Sequence, residues 1–182
     1  MLRIMHKLGR TGGAEIAEAA LVLPLVFMFL LGIVWFGRAF NIYATITQAA
    51  EQGAAMAARP ACATCGQPAD NWNGTNFPGD TSVENSVFAV MDASSLDRSQ
   101  IIVYLPVFPA CQPPSGPPNA GCTTTANNVS ICRSVQLNAS STPPQCGTVV
   151  SFQYPFQLNL PFTSLNMQRI VLKAQAQSRM EN

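Results

Sequence analysis

From Ala19 to Gly37 the sequence runs AALVLPLVFMFLLGIVWFG, 19 residues without a charge. As a helix this stretch rises about 28 Å, close to the ~30 Å hydrocarbon core of a bilayer, and it predicts one membrane span. Pro24, near its start, frees one backbone carbonyl, a defect that membrane helices tolerate. The pattern then changes character without breaking. RAFNIYATITQAAEQGAAMAARP is rich in Ala and Gln and has no proline before Pro60, so one helix is predicted over 14–59, 46 residues in all. At 1.5 Å per residue it reaches about 69 Å, so that half of it projects beyond the bilayer. In the projecting half Ala49, Gly53 and Ala57 recur at every fourth residue, as do Ala50, Ala54 and Ala58. Such a smooth face lets another backbone approach closely, either from the chain's own head or from a neighbouring subunit.

After Pro60 the apolar period shortens and the turn residues multiply. Val83, Val87, Val90 and Met91 recur at three and four residues within VENSVFAVMDASS, which predicts a short helix. IIVYLPVF, VSICRSVQL, TVVSFQYPFQLNL and IVLKAQAQS are rich in β-branched and aromatic residues and predict four strands. PACQPPSGPPNAGC reads as a constrained loop, and PFTSLNM as a loop or turn between the last two strands. The fold class that follows is α+β, with a long N-terminal transmembrane helix packed on a small antiparallel sheet head over 60–182.

Charge removes several classes of function. Ten Lys and Arg against nine Asp and Glu leave a net charge of +1, no footprint for a phosphate backbone, so nucleic acid is not an expected partner. The one histidine, His6, stands among basic residues at the N-terminus, which leaves no material for a Ser/His/Asp triad or a histidine-based zinc site. No catalytic residue, metal or cofactor is expected. Asp70, Asp80, Glu84, Asp92 and Asp97 lack the spacing of a calcium loop and read as solvated surface groups. The sequons at Asn73, Asn128 and Asn138 carry little weight in a chain this rich in Asn, Ser and Thr.

Six cysteines, Cys62, Cys65, Cys111, Cys122, Cys132 and Cys146, all follow the span, the pattern of a small domain stapled in an oxidising compartment. Sequence alone does not select one connectivity among those that six cysteines permit. The preferred set pairs near neighbours, which closes small loops in a compact head: Cys62 with Cys65, Cys111 with Cys122, and Cys132 with Cys146. The Cys62 and Cys65 spacing also fits a redox motif or half a zinc site, but a second close pair of ligands and a thioredoxin-like frame are missing.

The flanks of the span orient it. Arg3, Lys7 and Arg10 precede it with no acid before Glu15, so the positive-inside rule leaves residues 1–13 in the cytoplasm and sends the head across. A cleaved signal peptide has a shorter apolar run and a small-x-small site, whereas this run leads into Trp35, Phe36, Arg38 and Phe40. Glu18 is the anomaly at the head of the span. A carboxylate there either has a functional partner or snorkels to the headgroups.

The string RTGGAEIAEAALVLPLVFMFLLGIVWFGRAF resembles the start of a TadE-like minor pseudopilin of the tight-adherence (Tad) pilus, a branch of the bacterial type IV filament systems. GRAFNIYATITQAAEQGAAMAARP resembles the helix continuation of that family, and VVSFQYPFQLNLPF with RIVLKAQAQSRMEN its closing strands and tail. The resemblance covers about residues 9 to 60 and 147 to 182. It implies a basic leader over 1–13, cut by a prepilin peptidase after Gly13 so that Ala14 becomes the N-terminus and Glu18 stands fifth; Gly12 is the competing cut. It also implies that Glu18 pairs with the terminal amine of another subunit during assembly. The implied partners are the peptidase, other pilins and pseudopilins with the inner-membrane platform of a Tad system, and the lipid bilayer. The implied place is the bacterial inner membrane, with the head in the periplasm or in an extracellular pilus. Two other readings stand beside it: an unprocessed single-pass envelope protein with a disulfide-stapled binding head, and a membrane-tethered thiol oxidoreductase using Cys62 and Cys65.

Overall fold

A computed structural model describes residues 12–59, 77–111, 121–138, 145–157 and 169–179. Two helices, α1 (Gly12–Ala58) and α2 (Asp80–Ala93), precede a 3₁₀ turn (Arg98–Gln100) and four strands: β1 (Cys122–Thr124), β2 (Ser130–Asn138), β3 (Gln145–Phe156) and β4 (Ile170–Arg179). The fold is α+β, as the pattern of periods predicts. Two compact units divide it, residues 1–40 and residues 41–182, and α1 contributes to each.

In the first unit α1 satisfies its own backbone except opposite Pro24 and leaves most of its side chains outside. Every described side chain from Ile16 to Leu30 is exposed, among them Phe27, Met28 and Phe29. Pro24 lies within the helix, where its missing N–H leaves the carbonyl of Ala20 without the usual partner. From Ile16 onward α1 is long and apolar enough to cross a membrane.

In the second unit the end of α1 becomes a core element. Thr45, Ala49, Gly53 and Ala57 form one buried row, and Ile46, Ala50, Ala54 and Ala58 the next. A Cβ placed on Gly53 would lie 2.7 Å from Cγ2 of Val87 and 3.3 Å from Cγ1 of Val150, so α1 is in van der Waals contact with both α2 and β3 there. Ala and Gly at these positions are what permits the approach. α2 answers with Val83, Val87 and Met91, the periodic positions, and also with Phe88.

The sheet has the order β1-β2-β3-β4, antiparallel throughout. Alternation along β3 divides its side chains between two cores. Val150, Phe152 and Tyr154 join Ile131, Ala174 and the helices in the main core, whereas Val149 joins Cys132, Val135 and Phe108 in a smaller one. β2 slips register between Cys132 and Val135, where Ser134 adopts a positive φ of 53°.

The stretch IIVYLPVF, expected to be a strand, is not one. It pairs once with β3, at Ile102 and Gln153, and the chain pairs again with β2 at Ala110 and Val135. Between those bridges it crosses β2 over the face away from the helices, and Phe108 enters the smaller core. Pro106 and Pro109 lack the N–H that a ladder needs, and so the segment serves as a cover. The fourth strand is instead the three-residue β1, whose CTT carried no strand pattern of its own. The expected loop PFTSLNM and most of the proline-rich loop lie outside the described residues.

Candidate functional site

The processing and assembly residues sit at the start of α1. Gly13 is exposed, with nothing within 4 Å of the place a Cβ would occupy. Glu18 is exposed one turn further on, between Ile16 and the uncharged run, and makes no ion pair among the described residues. Neutralising such a carboxylate in an apolar environment therefore requires a group from outside these elements. The side chain of Ala14 and the leader before Gly12 lie outside the described residues. Near the far end of the apolar run, the Arg38 guanidinium lies over the Trp35 ring, 6.0 Å from its centroid.

Ala49, Gly53 and Ala57, the small-residue face, are buried against α2 and β3. The head itself occupies that face, which is thereby closed to another subunit.

The disulfides differ from near-neighbour pairing. Cys122 bonds Cys132 and Cys111 bonds Cys146, so neither Cys111 with Cys122 nor Cys132 with Cys146 is formed. Register decides this: Cys122 and Cys132 are directly opposed on β1 and β2, with Cα atoms 3.9 Å apart. Cys111 ends the covering segment, one residue beyond the bridge at Ala110, with its N–H donated to the carbonyl of Ser134. That places it 5.6 Å, Cα to Cα, from Cys146 at the start of β3, and the bond pins the cover to the sheet. Cys62 and Cys65 lie outside the described residues, as do Asp70 and the sequon at Asn73. Among the described residues no group of three or more His, Cys, Asp or Glu side chains is placed to hold a metal ion.

Two acids expected at the surface have structural partners instead. Asp80, in the first turn of α2, forms an ion pair with Arg133 of β2 and accepts a hydrogen bond from Thr123 Oγ1 at 2.7 Å. Arg133 also donates through Nη2 to the carbonyl of Pro78 at 2.9 Å, which ties the α2 N-terminus to the β1–β2 ribbon. Partial burial alone raises the Asp80 pKa, but the hydrogen bonds from Thr123 and Arg133 and the Arg133 charge outweigh it and bring the carboxyl below its ordinary value. Glu84, one turn on, is only 7% exposed, and its Oε1 accepts from Thr125 Oγ1 at 2.7 Å and Asn127 Nδ2 at 2.9 Å. Spacing could not reveal either arrangement, because the partners lie more than 40 positions away. Asp97 is a local exception: Ser99, through side chain and backbone, and then Gln100 lower its pKa at the head of the 3₁₀ turn.

No curated protein and no solved structure matches the chain. Residues 13–55 match a family model described as TadE-like protein, a stretch that holds Gly13, Glu18, the apolar run and the helix as far as Ala55. Over this helix, less than half of the chain, the sequence is similar to the TadE-like family.

Proposed function

We propose that the chain is a minor pseudopilin, a structural and assembly component of a Tad-type adhesive pilus rather than an enzyme. The observation that carries this reading is Glu18 five positions beyond Gly13 on an exposed apolar helix, inside the stretch that matches the TadE-like family. The chain is held in the bacterial inner membrane by one span, with residues 1–13 in the cytoplasm and the head in the periplasm or in the pilus. A prepilin peptidase cuts after Gly13, where the exposed glycine offers no side chain to exclude. The cut removes Arg3, Lys7 and Arg10, takes the net charge from +1 to 1 − 3 = −2, and eases extraction from the bilayer. In an assembled bundle Glu18 pairs with the Ala14 amine of an adjoining subunit, and other pilins, pseudopilins and the inner-membrane platform supply the partners.

N-terminal sequencing of the membrane form tests the first step. The expected N-terminus is Ala14, with Gly13→Val left uncut. A chain that begins at Met1 in cells with an active peptidase would overturn the reading. For assembly, Glu18→Ala and Glu18→Gln should insert and be cut at least partly, while pilus production falls in both. Normal piliation at equal membrane levels would leave Glu18 a snorkelling residue.

A further inference from the structure

One face of α2 borders a groove of about 500 Å³, within the range of pockets that hold small ligands. Thr81, Glu84 and Asn85 line it from α2, at the three- and four-residue spacing that sets side chains on one helix face. Asn127, from the turn between β1 and β2, and Arg98 and Ser99, from the 3₁₀ turn, also line it. Of these six residues only Glu84 is buried.

The hydrogen-bonding capacity of the groove is one-sided. Glu84 is 7% exposed, and Thr125 and Asn127 both donate to its Oε1. Among the described residues its Oε2 accepts no hydrogen bond and the carboxylate pairs with no cation. Donors beside it are already engaged, Asn127 Nδ2 with Glu84 and Ser99 Oγ with Asp97. Acceptors are left over: Glu84 Oε2 and the side-chain oxygens of Thr81, Asn85 and Asn127. Arg98, the one cation in the lining, is turned to other partners. Its Nη1 lies 3.6 Å from Asp92 Oδ2, and its Cζ lies 5.4 Å from the centroid of the Phe88 ring.

We propose that this groove binds a primary ammonium group, as carried by a lysine side chain or a free alkylamine, with Glu84 Oε2 as its counter-charge. A nearly buried carboxylate held only by neutral donors lacks the charge that would offset its desolvation. An ammonium brings that charge together with N–H donors for Oε2 and for the neutral oxygens beside it. Other ligands match less well. An anion would meet Glu84. Calcium takes about six to eight oxygens, several of them from carboxylates, and the groove has one carboxylate. Phe88, 6% exposed and beneath Arg98, offers no open face on which an aromatic or sugar ring could stack. The inference rests on the head alone and stands apart from the pilus reading.

Titration of the full-length chain in detergent micelles tests it, with the carboxyl signals of isotope-labelled glutamate followed by NMR at constant ionic strength. Glu84→Gln identifies the Glu84 signal among those of the five glutamates. Two probes separate the sources: cadaverine, a free diamine, and Nα-acetyl-lysine methylamide, which presents a lysine side chain between peptide groups. The Glu84 signal should move and saturate with at least one of them. Tighter binding of the lysine probe assigns the groove to a protein side chain, and tighter binding of cadaverine assigns it to a free amine. Tetramethylammonium, a cation without N–H donors, should bind ~10-fold more weakly than the better probe. Asn85→Leu, at an exposed position, should leave thermal melting unchanged and weaken that probe by ~3-fold. A Glu84 signal that neither probe moves, an equal response to tetramethylammonium, or undiminished binding by Asn85→Leu would each overturn the proposal.

Discussion

Between Ile16 and Phe40, α1 holds Leu, Phe, Val and Met in the open, with Met28 75% and Phe29 72% exposed; between Ala49 and Ala58 its buried residues are Ala and Gly. Hydrophobicity alone would have ranked these halves the other way round. Among the described residues the first half has nothing to pack on, and large side chains suit a lipid solvent that covers them on all sides. The second half must admit α2 and β3 to within contact distance of its backbone, so small side chains are the ones buried. Glycine shows the contrast in one residue type. Gly32 and Gly37 face open space, whereas Gly53 lies against Val87 and Val150.

Reduction is the strongest way to separate the two units. Both described disulfides lie in the second, and the bond from Cys111 to Cys146 spans 35 residues against 10 for the other. On the loop-entropy account Cys111→Ser with Cys146→Ser costs about 4 kcal/mol and Cys122→Ser with Cys132→Ser about 3 kcal/mol. Thermal melting of the head should fall in that order, while membrane integration stays unchanged. Equal losses would mean that the cover over the smaller core has other anchors.

The converse perturbation is a charge in the first unit. Leu30→Arg, mid-run and exposed, should lower insertion by about 3 kcal/mol in a membrane-integration assay. Gln52→Arg, exposed on the second half, should change head stability by less than about 0.5 kcal/mol. A head that melts in Leu30→Arg while Gln52→Arg blocks insertion would reverse the assignment of the halves.

Next in size is the glycine comparison. Gly53→Ala forces Val87 or the helix to shift and should destabilise the head by about 1 to 3 kcal/mol, measured by thermal or denaturant melting. Gly37→Ala, with open space around it, should leave the melt unchanged. A silent Gly53→Ala would show that α1 lies further from α2 than contact distance.

The smallest effect is electrostatic. The folded pKa of Asp80 is lowered from 3.8, so the stabilisation it contributes is present above that value and is lost as pH falls through the lower folded value. Because its side chain is 34% exposed, screening keeps the effect modest. Acid titration of the head should therefore be slightly less steep below pH 4 in Asp80→Asn. Identical titrations would leave the tie from α2 to β2 without an electrostatic share.

Periodicity made α1, α2 and the strands β2 to β4 legible, because a face that must be buried repeats at the period of its element. Val83, Val87 and Met91 were readable for that reason, and so was the small-residue face. The stretch IIVYLPVF, residues 101–108, was misread as a strand because its composition is that of one, while Pro106 and the following Pro109 suit a cover whose backbone bridges the sheet only near its ends, at Ile102 and Ala110. Glu84 was misread because an acid that accepts from Thr125 and Asn127 looks, in sequence, like any solvated acid.

By itself the sequence determined the apolar helix, the position of Glu18 relative to Gly13 and the α+β class, since each depends on neighbours along the chain. Only the tertiary structure decided which of the described cysteines bond and which acids are buried. Those depend on strand register and on partners tens of residues away, and register is fixed by the burial of the whole sheet rather than by any one segment.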